Sequence, residues 1–191
     1  IWRMKFCSAA DGPSCSTGNW GASLLFSREG GIGPVYDAPA VAKDANGNLW
    51  VYWGTGDKAE PIVMGGGTDR FFAVKDRTLT GTYRLSDLEN ITGSTYTDND
   101  SKRGWYMNLA GQGEKCLAEA VVFGGQVYFT TYTPGGAAVS DPCNAAGAAK
   151  IYGVSYITGA GSLTGNARSV TLGVGIPTAP TLSLNPYSPT P

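Results

Sequence analysis

The sequence has 191 residues, which is enough for one domain with a buried core. It carries 14 basic and 15 acidic residues, a net charge of −1, and no histidine. These values exclude histidine-dependent catalytic triads, His-ligated zinc and nucleic acid as the main partner. No run of 18 apolar residues is present, so we expect no transmembrane segment. The chain opens at Ile1 without a signal-peptide pattern, which predicts a processed chain or an excised fragment.

The chain is predicted to be a succession of β-strands, and no segment has a convincing helical pattern. Apolar and polar residues alternate in short runs, as they do in half-buried strands. These runs are Trp2–Phe6, Leu49–Trp53, Arg70–Val74, Val127–Tyr132 and Ile151–Tyr156. The pairs Asn46-Gly47 and Gly124-Gly125 predict type I′ hairpin turns, which need positive φ at both central residues. We therefore predict an all-β protein.

A repeated order of strands indicates a β-propeller. The hairpin pattern of residues 38–55 recurs at 118–131, and a third and a fourth strand follow each hairpin. Repeated four-stranded antiparallel units are typical of propeller blades. Three long insertions separate the strands, at residues 57–69, 76–102 and 134–149. Loops of this kind carry recognition on a rigid scaffold, so the insertions are the predicted contact surfaces.

The predicted blades occupy residues 1–175, and they are too few to close a ring. A partial blade is expected at 1–30, a full blade at 34–110 and another at 115–174. Residues 176–191 are rich in proline and are expected to form a terminal strand or tail. Because a propeller needs about four blades or more, we expect the remaining blades upstream in the same protein.

Four cysteines bear on the compartment of the protein. Cys7, Cys15, Cys116 and Cys143 form no CxxC pair, so zinc or thioredoxin-type chemistry is disfavoured. Three pairings are possible, and we favour Cys7–Cys15, across a short loop, and Cys116–Cys143, across a glycine-rich loop. Such disulfides would place the protein in an oxidising compartment. The alternative is four free thiols in a cytosolic protein.

Four stretches of the sequence carry a family resemblance. They are residues 1–6, residues 34–39 with 51–58, residues 104–109 with 113–117, and residues 121–134 with 141–143. In this order they resemble the C-terminal, modified PQQ-like β-propeller domain of PilY-type proteins. Those proteins are type IV pilus tip adhesins and biogenesis factors.

The resemblance implies a location and a set of partners. It implies export through the periplasm to the outer surface of a diderm bacterium, with minor pilins and the type IV pilus as partners. Host or abiotic surfaces are further expected ligands. Members of the family bind calcium through an Asp-rich loop just upstream of the strand that residues 1–6 resemble. That loop has no counterpart in this chain, so we expect no cofactor here and calcium only in the upstream part.

Two clusters of oxygen-bearing side chains are candidate cation sites. Asp44, Asn46 and Asn48 are spaced like the first three ligands of a calcium loop. However, Gly47 lies at loop position four and Thr55 at position twelve, so a hairpin turn is the favoured interpretation. The second cluster, Asp98, Asn99 and Asp100 with Lys102 and Arg103 after it, is interpreted as a solvated loop tip.

Paired carboxylates and aromatic residues offer alternatives to a binding module. Asp37 with Asp57, or Glu114 with Glu119, could form the acid pair of a glycosidase. The strand aromatics could stack on sugars, although core packing is favoured for large alternating side chains. These aromatics are Trp50, Tyr52, Trp53, Trp105, Tyr106, Tyr128 and Phe129.

The leading functional hypothesis is a non-enzymatic module for pilus-tip adhesion and type IV pilus assembly. The alternatives are a secreted propeller enzyme, either a quinoprotein or a glycosidase or lyase, and a purely structural filament or scaffold subunit.

Overall fold

The protein is built from eleven strands in the part of the chain that a computed structural model describes, residues 1–7, 12, 15–28, 31–64, 67–78, 80–98, 101–135 and 146–183. The strands are β1 (Trp2–Lys5), β2 (Gly21–Leu24), β3 (Ala40–Lys43), β4 (Leu49–Gly54), β5 (Arg70–Asp76), β6 (Glu89–Asn90), β7 (Gly104–Asn108), β8 (Val121–Phe123), β9 (Gln126–Thr133), β10 (Ala148–Ser155) and β11 (Ser169–Val174). Short 3-10 helices lie at Thr17–Asn19, Leu85–Asp87 and Thr164–Asn166. The all-β prediction is confirmed. None of the described helices is long and apolar enough to cross a membrane.

Three sheets follow one another along the chain. The first pairs β1 with β2, the second has the order β3-β4-β5-β7-β6, and the third has the order β8-β9-β10-β11. All pairs are antiparallel except β6 with β7. The first strands of the second and third sheets, β3 and β8, contact each other. This succession is propeller-like, and the described residues form open sheets.

The second sheet has one strand more than a four-stranded unit. β6 lies within the 76–102 insertion and pairs in parallel with β7, so that Glu89 lies opposite Trp105. Two residues are too few for an alternating pattern, which explains why the sequence did not predict this strand.

One of the two predicted hairpin turns is confirmed and the other is wrong. Gly124 and Gly125 both have positive φ, 58° and 79°, between Phe123 and Gln126, which lie opposite each other. At the other hairpin only Gly47 has positive φ, and its N–H donates to the Asp44 carbonyl at 3.0 Å. The Asp44 carboxylate also accepts the N–H of Asn48 at 2.9 Å, which favours this longer turn over type I′.

Alternate residues of the second sheet point to its two opposite faces. Its central strands β4 and β5 are covered on both of these faces. One face packs against the third sheet, where the rings of Phe71 and Phe129 stack with centroids 3.7 Å apart. The other face packs against the segment after β2, where Phe26 contacts Trp53 and Phe72. Burial of these aromatic side chains stabilises the packing of the sheets against one another.

A buried ion pair joins the first sheet to the second. Nε and Nη2 of Arg3 on β1 lie 2.6 and 2.7 Å from the two carboxylate oxygens of Asp76 at the end of β5. Arg3 also donates to Ser23 Oγ on β2 at 2.8 Å. This two-point contact sets the position of the β1–β2 ribbon relative to the second sheet.

Candidate functional site

The candidate site is a group of loops where β4 ends and β5 begins. We call residues 57–64 the tip loop; it belongs to the 57–69 insertion that the sequence marked as a contact surface. The segment 34–37 lies beside it, because Tyr36 donates its hydroxyl proton to Asp57 Oδ1 at 2.9 Å. Asp37 and Lys58 form a second link between the two segments, an ion pair. The structure thus brings the predicted carboxylates Asp37 and Asp57 to one loop face.

The tip loop is held from inside as well as from its side. Asp57 Oδ1 also accepts the backbone N–H of Ala59 at 2.9 Å, which closes a short turn. The buried ammonium of Lys115 donates to the carbonyl oxygens of Val63 and Gly113, the latter at 3.1 Å. These contacts preorganise the loop, and preorganisation lowers the entropy cost of binding a partner.

The tip loop presents apolar side chains to solvent. Ile62 is 71% exposed and Val63 43% exposed, and Tyr36 beside them is 53% exposed. The flanking charges are mainly acidic, from Asp57 and Glu60. An exposed apolar patch with a charged rim is typical of a protein or surface contact.

A polar cleft of about 220 Å³ lies next to the tip loop. Its charged lining residues are Arg28, Asp57, Asp69 and Lys115. The glycine-containing segments 31–34 and 67–68 complete the walls. The cleft therefore offers two cations and two carboxylates, together with open backbone groups.

Asp69 is the carboxyl group of the cleft whose pKa is raised above its ordinary value. Its Oδ1 accepts a hydrogen bond from Thr55 Oγ1 at 2.7 Å. Among the described residues this is the only hydrogen bond to the Asp69 carboxylate. Burial raises the pKa of the Asp69 carboxyl, and the Thr55 hydrogen bond and the Lys115 charge offset this only in part. A half-buried carboxylate with an accepting oxygen to spare is a typical feature of a binding site.

Gly33 leaves room for the Asp69 carboxylate. A Cβ atom at position 33 would lie 1.9 Å from Asp69 Oδ1, so any larger residue would displace this carboxylate from its present position. The shape of the cleft therefore depends on this residue.

The Glu114 carboxylate is buried and hydrogen-bonded within the fold. It is almost completely buried, and Oε1 accepts from Thr131 Oγ1 at 2.6 Å and from Tyr152 at 3.0 Å. Oε2 accepts from Gly111 N at 2.7 Å and from Lys150 at 3.0 Å. Burial disfavours the ionised form, but these hydrogen bonds outweigh it and lower the pKa of Glu114 below its ordinary value. Its predicted partner in a glycosidase pair, Glu119, is exposed.

The residues considered as a calcium site, Asp44, Asn46 and Asn48, form hydrogen bonds within the hairpin turn. Asp44 Oδ1 accepts the N–H groups of Asn46 and Asn48, each at 2.9 Å. Oδ2 accepts from Asn48 Nδ2 at 2.8 Å and from Trp50 Nε1 at 3.0 Å. Both oxygens are thus occupied by donors of the same hairpin. Within the described ranges no group of three or more His, Cys, Asp or Glu residues is placed to hold a metal ion.

The other predicted candidates are placed as follows. Asp98 pairs with Lys75 and accepts from the Tyr96 hydroxyl, whereas Asn99 and Asp100 lie outside the described residues. Of the strand aromatics, the five that are buried in the core are Trp50, Tyr52, Trp53, Trp105 and Phe129. Core packing, rather than a sugar-stacking platform, is therefore their role.

The predicted Cys7–Cys15 disulfide is present, whereas Cys116, predicted to pair with Cys143, has a free thiol. Cys7 and Cys15 are bonded to each other. Cys116 is a buried free thiol whose Sγ lies 3.5 Å from the Ala118 carbonyl oxygen. Its predicted partner, Cys143, lies outside the described residues, as do most of the 134–149 insertion and residues 184–191.

The sheets and their succession define a propeller-like all-β domain with a loop cluster at one end of its second sheet. Among solved structures, the crystal structure of the Pseudomonas aeruginosa PilY1 C-terminal domain is similar, with a TM-score of 0.58 and 18% sequence identity. The match covers 81% of this chain and 38% of that chain, so the present chain spans about two fifths of it. Neither the protein-family models nor the curated proteins gave a match. The resemblance to PilY-type C-terminal domains is thus confirmed at the level of the fold.

Proposed function

We propose that this chain is a non-enzymatic module of a PilY-like protein that supports pilus-tip adhesion and type IV pilus assembly. The observation that carries the proposal is the shared fold with the PilY1 C-terminal domain over 81% of the chain. The Cys7–Cys15 disulfide supports export to an oxidising compartment. The proposed location is the outer surface of a diderm bacterium, with upstream blades, minor pilins and external surfaces as partners.

The tip loop is the proposed contact surface of the module. It carries exposed Ile62 and Val63 on a backbone that Lys115 and Asp57 hold in place. Apolar side chains on a preorganised loop bind at a low entropy cost, and the acidic flanks favour a partner that is apolar with a basic rim.

The test uses the full-length protein in the bacterium that encodes it. A strain with Ile62→Asp and Val63→Asp is compared with the parent, a deletion strain and a Val174→Asp strain. Val174 is 83% exposed and lies on β11, away from the tip loop, so it controls for a new surface charge. Surface pili are counted by electron microscopy, and attached cells are counted on glass and on host cells.

The expected result has two parts. The deletion strain loses surface pili or attachment, and the tip-loop strain attaches less than the Val174→Asp strain at the same protein level. A deletion strain with normal pili and normal attachment would contradict the proposed function. Normal attachment of the tip-loop strain would remove the tip loop as the contact surface.

A further inference from the structure

We propose that the cleft beside the tip loop binds a neutral sugar residue. The inference rests on the proposed recognition role of this loop face and names a ligand for it. It concerns the cleft lined by Arg28, Asp57, Asp69 and Lys115.

The charges of the cleft argue for a neutral ligand. Two cations and two carboxylates lie around one volume of about 220 Å³, so the charges of the lining cancel. A cationic ligand would be attracted by the two carboxylates but repelled by Arg28 and Lys115, and the reverse holds for an anionic ligand, so the lining gives neither a net attraction. A neutral molecule with several hydroxyl groups can instead form hydrogen bonds with both kinds of group.

The hydrogen-bonding groups of the cleft match those of a sugar. Sugar hydroxyls both donate and accept, and therefore need acceptors and donors close together. Asp69 has an oxygen with accepting capacity beyond its Thr55 contact, whereas Arg28 and the Thr68 hydroxyl can donate. Pro34, which is partly exposed, adds apolar surface for the C–H face of a pyranose ring. The Asp69 carboxylate is partly desolvated, and a ligand hydroxyl that donates to it would replace some of the solvation it has lost.

The experiment titrates the full-length protein that carries these 191 residues with four neutral sugars: glucose, galactose, mannose and N-acetylglucosamine. Each is used free and as its methyl glycoside, which stands for the terminal residue of a glycan chain. Binding is followed by saturation-transfer NMR and calorimetry. Acetate and lysine amide serve as charged probes.

Two variants test the cleft and two serve as controls. Asp69→Asn removes the charge but keeps the shape, and Gly33→Ala drives a methyl group against the Asp69 carboxylate. Glu119→Gln removes an exposed carboxylate that does not line the cleft, and Val174→Asp adds a charge on β11, which does not line the cleft either. Asp69→Asn should melt no lower than the parent protein, because burial opposes ionisation at this position.

We expect saturable binding of at least one sugar, weakened at least tenfold by Asp69→Asn and by Gly33→Ala and unchanged in both controls. Preference for the methyl glycoside would identify a glycan terminus as the source, and preference for the reducing sugar a free monosaccharide. The inference would be overturned if no sugar, free or as its methyl glycoside, bound saturably, or if only the charged probes bound. It would also be overturned if Asp69→Asn bound the sugar as tightly as the parent protein. Because pili and attached cells are counted in the deletion and tip-loop strains without any sugar titration, failure of sugar binding is distinguishable from failure of the proposed function.

Discussion

Lys115 and Val63 lie 52 positions apart in the chain, and the ammonium of Lys115 donates a hydrogen bond to the Val63 carbonyl oxygen. The backbone of Lys115 is itself bonded to Tyr132 on β9, by two hydrogen bonds of 2.8 Å. The tip loop emerges from the second sheet but is therefore fastened to the third. Loop position and sheet packing are coupled through this one side chain.

Lys115→Met is expected to release the tip loop while keeping most of the buried aliphatic stem. Loss of hydrogen bonds from a charged donor should lower the free energy of unfolding by about 1–3 kcal/mol. The bond after Met64 should be cleaved faster in limited proteolysis, because the Val63 carbonyl loses its donor. Lys43→Met, at an exposed position of β3, is the matched control. Equal cleavage rates in both variants would show that Lys115 does not hold the loop.

Glu114→Gln is expected to destabilise the packing between the 109–116 segment and the third sheet. A Gln side chain places an NH2 group where one carboxylate oxygen now accepts two donors, so about 1–3 kcal/mol of stability should be lost at pH 7.

The pH dependence of this loss follows from the lowered pKa of Glu114. A carboxyl group with a folded pKa below its unfolded value, about 4.3 for Glu, stabilises the protein above that value. This contribution disappears as the pH falls through the folded pKa. Urea unfolding of both proteins between pH 7 and pH 3 should therefore show the difference shrinking below about pH 4. A difference that stays constant with pH, or an equal loss in Glu119→Gln, would contradict a role for the Glu114 charge.

The repeated strands and hairpins were predictable from the sequence because they depend on local patterns. Alternation placed Phe71 and Phe72 on opposite faces of β5, and the structure buries both, one against each neighbouring layer. The Gly124-Gly125 turn is equally local, since glycine adopts positive φ angles without steric strain. The type I′ prediction at Asn46-Gly47 was wrong because the Asp44 carboxylate, which accepts the N–H groups of Asn46 and Asn48, determines the length of this turn.

The candidate site was predictable only as a region. The 57–69 insertion was visible as a long loop. The position of the Asp69 side chain, however, depends on contacts with Gly33 and Thr55, which are distant in sequence. No local pattern marks Lys115 as the residue that holds Val63. Contacts between segments more than 12 residues apart depend on how the sheets pack, which alternation and turn residues do not specify.

The cysteines give a redox test of the compartment. Non-reducing peptide mapping should recover Cys7 joined to Cys15. Burial raises the pKa of the Cys116 thiol to about 12, so its reactive thiolate is scarce at pH 8. We expect iodoacetamide to label Cys116 only after unfolding in guanidinium. Labelling of Cys116 in the folded protein would contradict its buried position, and recovery of a Cys116–Cys143 peptide would restore the pairing predicted from the sequence.

The β1–β2 ribbon exposes an apolar face that another sheet would cover. Trp2 and Met4 on β1 and Phe6 just after it are each more than half exposed, and Phe6 contacts Trp20 edge to face at 5.1 Å. Arg3, whose side chain lies on the opposite face of the ribbon, makes the ion pair with Asp76. The second and third sheets cover each other's apolar faces in this way, so an uncovered ribbon should drive association.

The isolated 191-residue chain is therefore expected to self-associate, and Trp2→Ser with Phe6→Ser to reduce this. Sedimentation velocity over a range of protein concentrations measures the association, and dye binding measures the exposed apolar surface. The melting temperature should not fall, because the two side chains are largely solvated in the monomer. Tyr36→Ser with Ile62→Ser removes comparable exposed surface from the loop face and should leave association unchanged. A parent chain that stays monomeric at high concentration, with a sharp reversible melt, would contradict the need for a covering sheet and with it the proposal of upstream blades.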